Sequence, residues 1–453
     1  MRFFPRCFVL IVVVVCHAAS CVLLIVSAAA AFPVWAQQPP SKFEIERGRT
    51  MLNDIRSDLK KNYYDPGFRG VDIESRFKEA DDRIRQATSM GQIFGSIATF
   101  LMRLDDSHTF FVPPRRSYRT EYGWKMLTIG EKNYVIAVKP GSDAEAKGIK
   151  PGDQVYSVDG VRQTRQNFWI FNYLYNQLQP RPAVRLALIT PDGKQEQLDI
   201  LAKVNQGKRV KDLTLENGDS DIYDIINESE AEERANRHRY FEMGDDLFIW
   251  KMPVFDLPKD KVDEFAGKFR NRKNLIIDLR GNGGGYEETL LRLIGNVFDH
   301  DVKIGDVAIR KGSKPLIAKS RGDHAFKGDL VVLIDSDSGS AAELFARVIQ
   351  LEKRGRVIGD QSAGAVMRAR FYDHQAGSDI IVLYGASITE ADIIMTDGKS
   401  LEHVGVTPDE TDLPTATDLA TRRDPVLARA VSLVGFNMSP EKAGELFPFE
   451  WRK

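Results

Sequence analysis

The chain has 453 residues, with 63 basic against 64 acidic side chains and a formal net charge of −1. That balance excludes the basic excess on which nucleic-acid binding rests, while 43% hydrophobic and 28% charged residues is ordinary globular composition with material for two or three domains. All three cysteines (Cys7, Cys16, Cys21) fall in the first 36 residues, so the remainder has no disulfide, no thiol nucleophile and no thiolate metal site.

Residues 1–36 read as a signal peptide. Arg2 and Arg6 precede an apolar run from Cys7 to Ala31, and Val34-Trp35-Ala36 offers a small-x-small cleavage site before Gln37. Cleavage after Ala36 implies an exported protein, periplasmic or secreted. The run is also long enough to span a bilayer, so an uncleaved anchor, and with it a membrane association, is the competing reading. The Ala-rich end and the cleavage site favour cleavage. A lipid anchor on Cys21 is disfavoured, because Val-Leu-Leu-Ile-Val follows it.

Residues 37–118 are expected to form a helical domain. Apolar residues recur at three- and four-residue spacing from Phe43 and again from Ile73, with Tyr64-Asp65-Pro66-Gly67 as a break between them. A third amphipathic stretch, Ile93 to Leu104, ends at Asp105-Asp106-Ser107-His108, and Pro113-Pro114 stops any continuation. Residues 119–204 read as short strands rich in β-branched and aromatic residues, with Asp159-Gly160 and Asp192-Gly193 as hairpin signals. Residues 205–245 are charged and poor in large apolar side chains, which predicts a solvated connector. From 246 to 453 the chain alternates apolar strands (Leu275-Ile-Ile-Asp-Leu, Leu330-Val-Val-Leu-Ile, Arg356-Val-Ile-Gly, Asp379-Ile-Ile-Val-Leu-Tyr) with helical runs, the pattern of an α/β core.

Two segments of that core could carry chemistry. Asp278-Leu-Arg-Gly-Asn-Gly-Gly-Gly285 is a glycine-rich turn between a strand and a helix, which exposes backbone N–H groups. No Lys-Ser or Lys-Thr follows, and Tyr286 stands where a dinucleotide fingerprint needs its third glycine, so phosphate binding is disfavoured. The same geometry can stabilise an oxyanion. Asp335-Ser-Asp-Ser-Gly-Ser-Ala-Ala-Glu343 also joins a strand to a helix, and resembles a nucleophile elbow without matching G-x-S-x-G. Ser336, Ser338 and Ser340 compete there, and each could equally be a helix cap. Candidate bases are His108, His238, His300, His324, His374 and His403; no pair has the spacing of a zinc peptidase, and no metal or other cofactor is implied.

Together these pieces resemble the C-terminal-processing (tail-specific) serine peptidase family. The matching motifs are Asp278-Leu-Arg-Gly-Asn-Gly-Gly-Gly, Ser340-Ala-Ala-Glu343, Val357-Ile-Gly-Asp-Gln-Ser-Ala-Gly364 and Glu402-His-Val-Gly-Val-Thr-Pro-Asp409, in the family's order; Tyr63-Tyr-Asp-Pro in the helical region also fits. Pro140-Gly-Ser-Asp-Ala-Glu-Ala-Lys-Gly-Ile-Lys-Pro-Gly-Asp-Gln-Val155 is similar to the PDZ domain such peptidases carry. The resemblance implies a crotonase-like α/β peptidase core behind an N-terminal helical bundle and a PDZ-like β-rich domain.

One branch of the family pairs its serine with a lysine, but Ala365 stands where that lysine is expected. The other branch, like the core of tricorn protease, uses serine, histidine, nucleophilic serine and glutamate. By that resemblance Ser340 is the nucleophile, His108 its base, and Ser107 and Glu402 orient the imidazole. The oxyanion donors are then Ala341 and either Gly283 or Gly284, a choice the sequence leaves open. Gly123, Trp124 and Met126 would bind a peptide in the PDZ-like domain, or simply open a strand. Protein or peptide substrates are implied; the alternatives are a non-catalytic peptide- or ligand-binding protein on the same fold, or an esterase or amidase.

Overall fold

The computed structural model describes residues 39–114, 118–206, 237–377 and 382–451. The proposed signal segment, most of the charged 205–245 stretch, and the Asp379-Ile-Ile start of one strand candidate lie outside these residues.

The core is a six-stranded sheet in the order Arg239–Met243, Leu247–Lys251, Asn274–Asp278, Asp329–Ile334, Arg356–Gly359, Glu410–Thr411. The first pair is antiparallel and the rest are parallel. Arg239–Met243 therefore brings the sheet's edge into the end of the stretch expected to be a connector. Strand residues alternate between two apolar layers, as the two-residue repeat requires. Leu275, Ile277, Leu330, Val332 and Ile334 face the helices Lys259–Phe269, Glu287–Val297 and Ala341–Leu351. Ile276, Val331, Leu333 and Ile358 face the helices Pro425–Leu433 and Pro440–Leu446. Burial on both faces explains why these strands read as continuous apolar runs.

A second sheet is wholly antiparallel. Its long strand Val382–Met395 pairs with Phe110–Val112, Val302–Ile309 and Met367–Ala376, and Ser313–Ala318 closes the far edge. Phe110–Val112 comes from the region read as a helical domain. The helices Lys42–Asn62, Ile73–Arg85 and Met90–Met102 pack on this sheet, with Leu52, Ile55, Leu59, Ile93 and Ile97 sharing one core with Phe111, Ala386 and Ile388. The N-terminal helices thus share a hydrophobic layer with the second sheet.

Residues 124–201 form a β-rich unit with its own core of Val135, Val155, Leu186 and Ile200. Its strands run in the order Trp124–Ile129, Lys132–Val138, Gln154–Val158, Ala183–Ile189, Gln195–Leu201. Asp159 and Gly160 both adopt positive φ (49° and 80°), the conformation a tight hairpin demands of an Asp-Gly pair. This unit touches the core through its edge hairpin. The Ser336 hydroxyl donates to the Thr128 carbonyl at 2.5 Å, and the Gly130 N–H donates to Asp360 at 2.8 Å. Arg165 donates to Asp360, to the Gln361 carbonyl and to the Gly130 carbonyl. Among the described residues no helix is long and apolar enough to cross a membrane.

Candidate active site

Three parallel strands end side by side, and the segments that follow them build the site: Asp278 leads into the glycine-rich turn, Ile334 into Asp335–Ser340, and Gly359 into residues 360–366. The carboxyl ends of parallel strands are where α/β folds collect their functional loops.

The structure separates the three serines. Ser338 is fully buried, donating to the Leu279 carbonyl at 2.8 Å and accepting from the Asp335 N–H at 2.9 Å. Ser336 is spent on the β-rich unit. Ser340 sits at φ 51°, ψ −117°, immediately before the helix Ala341–Leu351. A non-glycine residue there carries roughly 1–3 kcal/mol of backbone strain, which the surroundings must enforce. They do so through its N–H, shared between the Ala365 carbonyl (2.9 Å) and Glu343 Oε2 (3.0 Å).

Glu343 is the fully buried centre of this clamp. Besides Ser340 it accepts from Ser362 Oγ at 2.5 Å, Gly364 N at 2.7 Å and Ala365 N at 2.9 Å. Burial pushes its pKa up to about 7, against the four donors that favour the anion. The sequence shows Glu343 as a first-turn helix carboxylate; that it also fixes the 362–365 loop emerges only from the fold. Ser340-Ala-Ala-Glu343 does have capping-box spacing, the one local hint of it.

The histidine side is assembled differently. Ser107 Oγ lies 2.7 Å from His108 Nδ1 and donates to Glu402 Oε2 at 2.9 Å, while the Ser107 N–H donates to Glu402 Oε1 at 2.6 Å. Val366 N donates to Glu402 Oε2 at 2.9 Å. Ala365 therefore binds Ser340 and Val366 binds Glu402, and successive Cα atoms are only about 3.8 Å apart. The structure brings Ser107, His108 and Glu402 into one hydrogen-bonded group and ties it to Ser340 through that dipeptide. Burial lowers the pKa of His108 below its usual 6.5, with the charges of Glu402 and Asp106 opposing. His403 makes no hydrogen bond within this group, although its Nε2 lies 3.7 Å from Glu402 Oε1. It is exposed, with Nε2 held by the Asp105 carbonyl at 2.8 Å.

The Ser107-His108 turn is held by Asp106, which sequence reasoning passed over. Its buried carboxylate accepts from the Thr109 N–H (2.7 Å), the His108 N–H (3.1 Å), Thr389 Oγ1 (2.7 Å) and the Tyr63 hydroxyl (2.8 Å). The signal was available as an Asp two residues before the histidine, the spacing of an Asx turn.

The glycine-rich turn faces Ser340. Gly284 has φ 101°, and a Cβ on it would lie 2.6 Å from Ser340 Cβ, so a side chain there would displace the serine. Its N–H is already committed to Asn282 Oδ1 at 2.8 Å, and its carbonyl to Phe255 N. Gly283 is exposed, and among the described residues neither its N–H nor that of Ala341 has an acceptor. Arg280 anchors the start of the turn between Asp278 and Asp424, at 2.8 and 2.7 Å. Burial opposes the charge on Asp278, but Arg280 and Lys251 outweigh it and hold its pKa well below the usual carboxylate range.

Of the residues expected to bind peptide in the β-rich unit, Met126 is buried in that unit's core. Trp124 packs against Phe171, and Gly123 spends its carbonyl on Lys139 N at 2.8 Å. All three lie in or just before Trp124–Ile129, the edge strand of its sheet. Among the described residues no cluster of side chains could hold a metal ion.

Comparison with known proteins matches residues 249–411 to peptidase family S41. The chain is a serine peptidase, and it is this segment that carries the S41 match. It is 24% identical over 376 residues to the chloroplastic C-terminal processing peptidase of Tetradesmus obliquus, covering 78% of this chain and 74% of that one. It is also 24% identical over 368 residues to the carboxy-terminal processing protease CtpA of Bacillus subtilis, covering 79% and 67%. Against a putative tricorn protease homolog of Streptomyces coelicolor, identity rises to 31%, but over 169 residues, 36% of this chain and 13% of the other. In fold, the chain matches the crystal structure of mature CPAF with a TM-score of 0.62 at 14% identity, covering 84% of this chain and 95% of that one. The S41 match spans the glycine-rich turn, Ser340, Glu343 and Glu402; Ser107 and His108 lie before it.

Proposed function

We propose that this serine peptidase is exported and cleaves peptide bonds through an acyl-enzyme on Ser340, with His108 as general base. The observation that carries the reading is the chain His108 Nδ1, Ser107 Oγ, Glu402 carboxylate, joined to Ser340 through Ala365 and Val366. With the Ser107 hydroxyl donating to Glu402, its oxygen accepts from an Nδ1–H tautomer of His108. Nε2 is then the unprotonated nitrogen, able to take the Ser340 proton as Oγ attacks the scissile carbonyl. The imidazolium that results is offset by Glu402 and returns the proton to the leaving amine; water repeats the cycle to release the acyl group. Ala365 supplies no amine, so the lysine-dependent chemistry has no base here.

The unclaimed N–H groups of Gly283 and Ala341 are the oxyanion donors in this reading, and Gly284 serves by its lack of a side chain. The β-rich unit acts as a PDZ-like module. Its edge strand Trp124–Ile129 belongs to the hairpin that touches the site loops, so a peptide segment added there would lie close to Ser340. The relatives' names as C-terminal processing peptidases support chain ends as substrates. Export rests on the residues 1–36 alone. The deciding experiment compares the wild type and Ser340→Ala for hydrolysis of a quenched fluorescent peptide and for labelling by a fluorophosphonate. Both activities should vanish in a variant with an unchanged melting temperature. A wild type that binds peptides but never labels would instead favour a binding protein.

A further inference from the structure

The geometry points to Asn282 as the residue that decides which glycine N–H serves the oxyanion, a role that rests on the Ser340 reading above. Asn282 is completely buried in the middle of Gly281-Asn282-Gly283-Gly284. Its side chain spans two strand ends: Nδ2 donates to the Met252 carbonyl at 2.8 Å, and Oδ1 accepts from the Gly284 N–H at 2.8 Å. Its backbone carbonyl accepts from the Gly339 N–H at 2.9 Å, directly before the nucleophile. One residue thus fixes the glycine-rich turn to the core sheet on one side and to the Ser340 turn on the other.

The consequence is selective. A turn with successive glycines could offer either N–H to a developing oxyanion, and the two would compete through small rotations of flexible backbone. Asn282 removes that freedom by occupying the Gly284 N–H with a neutral acceptor. The exposed Gly283 N–H is left as the partner of Ala341. A hole contributes to catalysis only when its donors are fixed before charge develops, since reorganising them during the reaction costs what they would return. Asn282 touches no substrate atom in this account; it is a positioning residue.

The role is separable from fold maintenance because a carboxamide can be imitated by a protonated carboxyl. In Asn282→Asp the neutral acid can accept from Gly284 N–H with one oxygen and donate to the Met252 carbonyl with the other. The ionised form confronts that carbonyl with a second acceptor. The experiment measures kcat, KM and the Kd of a peptide boronate, which forms a tetrahedral adduct on serine, for the wild type, Asn282→Ala and Asn282→Asp. For Asn282→Ala, kcat should fall about 100-fold, the scale of one lost hole donor, with KM within about threefold. Boronate affinity should fall in parallel while a non-cleaved product peptide binds as before. For Asn282→Asp, kcat relative to wild type should recover as pH falls and the carboxyl protonates. Should Asn282→Ala fail to fold, that pH-dependent recovery and the boronate affinity of Asn282→Asp carry the test. A folded Asn282→Ala with kcat and boronate affinity within threefold of wild type would overturn the role, as would an Asn282→Asp enzyme insensitive to pH in this ratio. A Ser340→Ala enzyme that still hydrolyses peptide would overturn the underlying site assignment, and is read in the same assay.

Discussion

The two halves of the site are built by opposite strategies. The Ser340 half is local: strand, strained turn and helix follow one another within Asp329–Leu351, and Glu343, three residues on, reaches back to the serine's own N–H. The His108 half is long-range. Ser107 and Glu402 stand 295 residues apart, and Asp106 is held by Tyr63 and Thr389 from two further elements. The Ser340 turn takes its shape from one short stretch of chain, with the Ala365 carbonyl added from the neighbouring loop. His108 lies beyond the end of the helix Met90–Met102 in a turn held locally only by Asp106, and the direction of its ring is imposed by partners that the completed fold brings near. Under the proposed mechanism, the Ser340 half should therefore fail through chemistry, and the His108 half through loss of alignment.

The largest test of that difference is His108→Ala, which should cost about 10⁴-fold in kcat with little change in KM, because attack by an unassisted serine hydroxyl is all that remains. Steady-state kinetics on a quenched peptide decides it; a loss below tenfold would mean that another group takes the proton.

The local half is best probed through Glu343. Its folded pKa, about 7, lies above the ordinary 4.5, so the folded state holds the proton more tightly. Stability is therefore unpenalised below about pH 4.5, declines as pH rises toward 7, and levels off beyond it, a span of about 3 kcal/mol. Denaturant titrations at several pH values should show this slope in the wild type and a shallower one in Glu343→Gln. Equal slopes would show that Glu343 is ionised throughout.

Glu402→Gln breaks the long-range half more gently. It should lower kcat by roughly 10- to 100-fold, since the amide still fills the space but no longer stabilises the imidazolium. The direction of the pH profile is the sharper readout. With His108 as the proposed base, activity should rise with pH as the imidazole becomes neutral, and Glu402 raises the pKa of that histidine against its burial. Removing the charge should move the acidic limb to lower pH; movement to higher pH would contradict the arrangement.

The smallest effects belong to the two serines beside Ser340. Ser338→Ala should destabilise by about 1–3 kcal/mol, because the buried Asp335 N–H loses its acceptor and the Leu279 carbonyl keeps only the Asn282 N–H, with kcat retained in the folded fraction. Ser336→Ala should cost about 1 kcal/mol or less, and its contact with the β-rich unit predicts a change in KM for long peptides rather than in kcat. Thermal melts and peptide kinetics on the two variants separate cap, staple and nucleophile within one five-residue turn.

Periodicity and local chemistry carried much of this protein. Apolar runs of four or five residues marked the buried parallel strands, because strands covered on both faces need no polar alternation. Asp159-Gly160 marked its hairpin, because that turn requires two positive φ values. The glycine-rich turn and the serine-bearing elbow were visible as strand-to-helix junctions. The three competing serines were not separable locally, since all can cap a helix; their hydrogen-bond partners, Leu279, Thr128 and Ala365, come from other segments. Tertiary structure alone showed that Phe110–Val112 joins a sheet made otherwise of residues beyond 300, that Glu343 grips the 362–365 loop, and that the Gly284 N–H is committed while that of Gly283 has no acceptor among the described residues. The physical reason is the same in each case. Backbone preference and hydrophobic period are properties of neighbouring residues, whereas the fate of a single N–H or carboxylate depends on which distant segment packs against it.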